Sequence, residues 1–305
     1  MKRVVSVSLG SSSRDHAVET EFLGVPFRVE RRGTDGDVDR AVSLIREMDG
    51  QVDAFGLGGI DLYIYAGSKR YILRDAARIA RAARITPIVD GSGLKNTLER
   101  KVIDYLQKEL GISFAGRKIL MVCGVDRFGM AEAFSRAGAE MTFGDLIFAL
   151  GIPIPLNSLK SLERVAKLVA PVACRLPIKM LYPTGSKQEK VKSKHSSYYH
   201  DADVIAGDFH FIRRHMPPVL RGKTIITNTV TPQDIELLQS RGVAQLITTT
   251  PEMNGRSFGT NVMEGVLITL AGKKPDEMKP EDYSEVLDRL GFKPRVVDFA
   301  EERIN

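Results

Sequence analysis

Residues 118–145, KILMVCGVDRFGMAEAFSRAGAEMTFGD, constrain the fold more than any other part of the chain. Residues 119–123 form an apolar run without a polar break, as in a strand buried on both faces. Gly124 and Gly129 bracket a turn. A helix from about 128 to 137 places Ala131, Phe134 and Ala137 on one face, Gly138 ends it, and residues 141–143 start the next strand. Asp145 follows Gly124 by 21 positions. At that spacing a dinucleotide-binding unit sets the acid that holds the adenosine ribose. The pattern departs from G-x-G-x-x-G at its middle glycine, where Asp126 stands. A carboxylate there adds bulk and like charge beside a pyrophosphate, and Arg127 is placed to offset it. A ligand-free βαβ crossover is the competing reading.

Alternation of strands and helices elsewhere argues for mostly parallel sheets. Strands are expected at 4–9, 26–30, 52–57 and 86–89, with helices to about Met48 and over 74–84. A longer helix over 96–110 bridges to the dinucleotide-like part. Beyond Asp145, a helix is expected at 159–169 and strands at 173–176, 203–206, 224–227 and 245–248. Thr231, Pro232, Asp234 and Gly242 signpost one helix by cap, first position, capping box and terminus. Two more helices follow, over 263–270 and 281–290. The expected fold is α/β with two domains. Residues 1–112 form an N-terminal α/β substrate domain with a bridging helix, 113–275 a Rossmann-like dinucleotide-binding domain, and 276–305 a C-terminal helix and tail.

With 305 residues, 43% of them apolar, the chain can build two cores. No apolar run reaches membrane-spanning length, and MKRVVSVSLG enters a strand without a signal-type apolar core, so a cytoplasmic location is expected. Cys123 and Cys174 give neither a disulfide framework nor a clustered metal site. A net charge of +6 is modest and fits an enzyme with anionic ligands as well as one that touches nucleic acid, so it decides little. Lys187, Lys190, Lys192 and Lys194, near Tyr198 and Tyr199, read as a solvated loop, and a nucleic-acid partner is not expected. A homo-oligomer is left open.

A first α/β domain opening on a serine-rich turn, an Asn-Thr pair feeding a bridging helix, and a dinucleotide domain after it resemble the shikimate/quinate dehydrogenase family. The resemblance implies that Ser11 and Ser13 hold a substrate carboxylate, where short hydroxyls donate without crowding. Asn96 and Thr97 match the family's Asn-Thr-Asp, but Leu98 replaces the Asp. The family's Lys, in an Asn-Val-Thr-x-Pro-x-Lys run, has no counterpart in residues 58–64, GGIDLYI, and the next lysine is Lys69. Oxidising a secondary alcohol still needs a hydride acceptor and a base. Lys69, Lys95 and Asp90 are the candidates for that base, with Asp61 behind them.

The implied activity is NAD(P)-dependent oxidation of a small polyhydroxy-carboxylate such as quinate or shikimate. NAD is preferred to NADP because Asp145 repels a 2′-phosphate. The cofactor candidates are Gly124, Asp126, Arg127, Phe128, Gly129 and Asp145, joined by Gly207, Asp208, Thr227 and Asn228 at later strand ends. Asp126 and Leu98 favour the alternative of a non-redox ligand-binding or regulatory protein on the same scaffold. A third reading, a metal-assisted enzyme, uses Asp126, Asp208 and His210.

Overall fold

The computed structural model describes residues 1–66, 69–177, 195–250, 252–253, 256–257 and 259–299, with the backbone alone for 65–66, 69–70, 252–253 and 256–257. The strands are β1 (Lys2–Ser8), β2 (His16–Phe22), β3 (Val25–Gly33), β4 (Ala54–Gly58), β5 (Tyr63–Ala66), β6 (Lys69–Ile72), β7 (Ile88–Val89), β8 (Lys118–Met121) and β9 (Glu140–Phe143). They continue with β10 (Val204–Ala206), β11 (Thr224–Thr227), β12 (Gln245–Thr248), β13 (Glu252–Met253), β14 (Arg256–Ser257) and β15 (Arg295–Asp298). The α-helices are α1 (Val38–Met48), α2 (Arg74–Ala80), α3 (Ser92–Lys108), α4 (Phe128–Arg136), α5 (Leu159–Ala173) and α6 (Ser196–Asp201). After them come α7 (Phe209–His215), α8 (Pro232–Ser240), α9 (Thr260–Ala271) and α10 (Pro280–Arg289).

The fold is α/β, in two compact units. One comprises Met1–Thr97, Leu168–Gln188 and Gly259–Phe292, the other Leu98–Lys167, Glu189–Phe258 and Lys293–Asn305. The units are thus interleaved in sequence rather than contiguous stretches.

In the first unit the sheet order is β2-β3-β1-β4-β7, parallel except for the β2–β3 hairpin. Val5 and Val7 of β1 pack with Phe55 and Leu57 of β4 against Ala41 and Ile45 of α1 and Ala76 and Ile79 of α2. Val4 points to the opposite face, where α9 lies so close that a Cβ on Gly265 would stand 2.8 Å from Val4 Cγ1. This placement corrects the expectation that residues 263–270 close the dinucleotide-like domain. Gly265 and Gly56 are the small residues that let helix and sheet approach.

In the second unit the order is β15-β12-β11-β10-β8-β9, with β15 running antiparallel to β12. Counted from β8, the parallel strands run 2-1-3-4-5, a doubly wound order whose direction switches between β8 and β10. Leu120, Ile205, Ile225 and Leu246 of the sheet pack with Phe209, Ile212 and Leu238 of its helices. The capping box on α8 forms as expected: Thr231 accepts from Asp234 N, and Asp234 accepts from Thr231 N. Where a strand was expected at 173–176, α5 instead runs on through Pro171 to Ala173. Tyr199 is fully buried and its hydroxyl donates to Ile212 O at 3.3 Å, so it offers no face for a nucleic-acid base. Lys187, Lys190, Lys192 and Lys194 lie outside the described residues. Among the described residues no helix is long and apolar enough to cross a membrane.

Candidate functional site

In open parallel sheets ligands meet the carboxyl ends of strands at the point where winding reverses. In the first unit these ends carry the loops after β1, β3, β4 and β7. After β1, Ser11 caps a short 3-10 turn, Ser12–Arg14, by accepting from Ser13 N. The Ser11 and Ser13 hydroxyls lie 2.7 Å apart. The turn is pinned by Arg31, which donates to Ser11 O and Asp15 Oδ1, each at 2.9 Å. The two serine hydroxyls therefore lie together in an exposed turn.

The loop after β4 carries Asp61, and the start of α3 carries Lys95. Lys95 Nζ donates to Asp61 Oδ1 at 2.6 Å, with side chains only 11% and 14% exposed. Asp90 explains how these loops meet. Its Oδ2 accepts from Leu62 N at 2.6 Å and Tyr63 N at 3.1 Å, while its Oδ1 accepts from Ser92 N at 3.0 Å. Three backbone bonds make Asp90 a clamp, whereas the sequence reading offered it as a base. Lys69 opens β6, and its side chain lies outside the described residues. Asn96 and Thr97 follow Lys95 on α3. Thr97 Oγ1 is buried and finds no hydrogen-bond partner among the described residues.

Behind the clamp lies a second carboxyl that the sequence reading missed. Glu264 of α9 accepts from Gly91 N at 2.7 Å and from the Tyr283 hydroxyl at 2.7 Å. Burial, then the nearby Asp90 carboxylate, pushes Glu264 up to about 8. It therefore sits largely protonated at neutral pH. Nothing local in the helix sequence TNVMEGVLITLA distinguishes this glutamate from a solvated one. Only its apolar surroundings on every turn hint at burial.

In the second unit the switch point brings together the loops after β8 and β10. Gly124 begins the first loop because no side chain fits: a Cβ would stand 2.8 Å from Phe143 Cδ1 and 2.9 Å from Leu162 Cδ2. Asp145 begins a π-helical turn, Asp145–Ala149, and turns its carboxylate back onto this loop, accepting from Gly124 N at 3.0 Å and Val125 N at 2.9 Å. Burial pushes its acid up to about 6 against those two amide bonds.

Arg127 is 1% exposed and does not stand free beside the loop. Its guanidinium pairs with the equally buried Glu99 of α3 and lies 3.2 Å from Asp208 Oδ2. Asp126 Oδ2 is 3.7 Å from Arg127 Nε. So Arg127 offsets neighbouring carboxylates rather than a ligand's phosphate. Asp208 caps α7, and Asn228 Nδ2 holds its Oδ2 at 2.9 Å. Thr227 is completely buried and spends its hydroxyl on Gly207 O at 2.8 Å. Gly207, at φ +137°, takes a backbone conformation that a side chain would strain. Phe128 and Gly129 form the first turn of α4, whose amide hydrogens no intrahelical carbonyl can reach. Among the described residues no group of three or more His, Cys, Asp or Glu side chains is arranged to hold a metal ion.

Two features bear on a dinucleotide: the first turn of α4 carries amide hydrogens of the kind a phosphate takes, and Asp145, the acid that follows β9, is buried with a loop amide on each carboxylate oxygen.

The chain matches no curated protein. Among solved structures it is similar to a hetero-hexameric glutamate dehydrogenase from Thermus thermophilus, at 12% identity, 95% of this chain and 73% of that one, TM-score 0.45. It is also similar to a galactofuranose binding protein, at 14% identity, 95% and 99%, TM-score 0.35. An NAD-dependent malic enzyme from Thermotoga maritima matches at 11% identity, 95% and 84%, TM-score 0.35. Residues 3–90 match the family model described as Domain of unknown function (DUF8753). Residues 93–299 match a second model, and on that match, which spans more than half of its length, the chain belongs to the family described as Domain of unknown function (DUF8754).

Proposed function

We propose that the protein is an NAD-linked dehydrogenase of a small polyhydroxy-carboxylate of the quinate or shikimate class. The observation that carries this reading is the Lys95–Asp61 pair at 2.6 Å. The shikimate/quinate dehydrogenases place a lysine after the strand that corresponds to β4 and an aspartate after the Asn-Thr pair. Here Leu98 stands at the aspartate's position and residues 58–64 hold no lysine, but the same two segments supply Asp61 and, just before Asn96, Lys95, which form a lysine–carboxylate pair.

Oxidation of a secondary alcohol removes a hydride from carbon and a proton from oxygen, leaving a ketone. Bound NAD supplies the hydride acceptor. The Lys95–Asp61 pair takes the hydroxyl proton: an amine and a carboxylate at this distance share one proton, and the pair can accept another. Asp90 fixes both loops, so the pair keeps its geometry without substrate. Ser11 and Ser13 donate to the carboxylate, and Thr97 supplies a buried hydroxyl for a substrate hydroxyl. Asp145 accepts from the adenosine ribose.

A second reading is a non-redox binding protein for a polyhydroxy ligand. It is favoured by the spending of Arg127 on Glu99 and Asp208, which withholds that guanidinium from a pyrophosphate. Calorimetric titration with NAD⁺ and NADP⁺ separates the two. Saturable NAD⁺ binding that weakens in Asp145→Ala supports the dehydrogenase; binding of neither nucleotide favours the second reading.

A further inference from the structure

Two guanidinium groups converge at the end of β1. A Cβ placed on Gly10 would stand 2.8 Å from Arg31 Nη2 and 2.9 Å from Arg14 Nη2, with Ser8 Oγ 3.2 Å away. Both cations thus lie over one buried glycine. Arg31 is 14% exposed, and burial together with the like charge of Arg14 holds it down to about 10. Bringing two cations together out of water costs free energy unless anionic groups compensate. Two carboxylates stand nearby. Asp15 accepts from Arg31 at 2.9 Å and from Gly33 N at 2.6 Å, and Asp35 accepts from Ser12 N at 2.8 Å. Both are tied to backbone amides as well, so they fix the loop.

The loop is also closely packed. Gly33 passes so close to the serine turn that a Cβ on it would stand 2.6 Å from Ser11 O. Ser11 and Ser13 lie in the same turn, with Arg14 next in sequence. Arg31 already gives donors to Ser11 O, Asp15 and Ser8 Oγ, and its remaining donors together with Arg14 match an oxyanion cradle, since arginine forks suit a planar carboxylate or a tetrahedral phosphate.

We infer that Arg14 and Arg31, above Gly10, form the oxyanion site of this unit, with Ser11 and Ser13 as secondary donors. The inference deepens the dehydrogenase reading and rests on it where the oxyanion is the carboxylate of the substrate. A phosphate is the other source of the same chemistry.

The test is calorimetric titration of the full chain with quinate, quinate methyl ester and inorganic phosphate. It is repeated on Arg14→Gln and on Arg31→Lys, which keeps the charge where deletion of Arg31 would release the loop. The expected result is quinate binding that weakens at least about ten-fold in Arg14→Gln, weakens in Arg31→Lys, and is absent for the ester. Phosphate binding that Arg14→Gln removes, with no binding of quinate, supports the cradle and overturns the proposed substrate. Quinate binding that is equal in wild type and Arg14→Gln overturns the cradle and leaves the dehydrogenase reading standing. Failure of wild type to bind either anion overturns the inference.

Discussion

Lys95 Nζ and Asp61 Oδ1 meet at 2.6 Å although 34 positions separate them in sequence, and their side chains are only 11% and 14% exposed. The pair is held by a third residue, Asp90, whose three amide bonds fasten the Asp61 loop to the start of α3. The ion pair and the clamp that positions it thereby use different carboxylates.

Lys95→Met and Asp61→Asn should each lower turnover by about 100-fold or more, the usual contribution of a positioned proton acceptor, while ligand affinity changes less. The cost to stability should stay below about 3 kcal/mol, because the pair is only partly buried. Steady-state rates beside denaturant unfolding check both parts.

Asp90→Ala should behave differently. It removes the acceptor of three backbone amides, each costing roughly 1–3 kcal/mol when left unmet. The expected outcome is a loss of several kcal/mol in unfolding free energy. Asp90→Asn, which keeps one acceptor oxygen, should lose less. Equal stability of Asp90→Ala and wild type would refute the clamp.

Glu264 titrates near 8 rather than its ordinary 4.5, so the folded state holds its proton longer than the unfolded chain does. Its contribution is complete below about pH 4.5 and is lost as pH rises through about 8. Asp145, raised to about 6, acts in the same direction over a lower window. Glu30 acts oppositely. Burial alone would raise it, but three arginines hold it down to about 2, so its contribution is present above its ordinary range and lost in strong acid. Glu264→Gln should flatten the fall of melting temperature between about pH 4.5 and 8. Each pH unit by which the folded acid titrates above the unfolded one is worth roughly 1.4 kcal/mol to that fall. A wild-type profile that is flat over this range would contradict the assignment.

Arg127→Met should cost about 3–5 kcal/mol, because it strands Glu99 in a fully buried position and takes the Arg127 cation away from Asp208. Replacing Glu99 by Leu in the same chain should recover a large part of that loss. Thermal unfolding of the single and double variants measures the coupling.

Much of the fold was legible in the sequence. The helix at α4, the capping box of α8 and the parallel core strands carry local signals: an apolar period, a Thr-Pro-x-Asp start, and unbroken apolar runs. The β2 strand was not, because as an edge strand it alternates exposed and half-buried residues and packs one face only weakly. β15 was hidden by its distance from β12, its partner. α7 was missed because Asp208, read as a ligand-facing acid, is its N-cap.

Of the candidate site, residue types could be read but pairings could not. Lys95 and Asp90 were named as candidates for the base, with Asp61 behind them. Which one clamps and which two pair depends on long-range hydrogen bonds that no local pattern encodes. The return of α9 to the first unit, and with it Glu264, lay beyond the reach of local sequence for the same reason.

The most direct test of the central claim is the appearance of reduced nicotinamide when the wild-type protein, NAD⁺ and quinate or shikimate are mixed, with Lys95→Met run beside it. The expected result is steady reduction by wild type and at least about a 100-fold slower rate in the variant. Reduction at the same rate in Lys95→Met, or none in wild type that nevertheless binds both ligands, would contradict it.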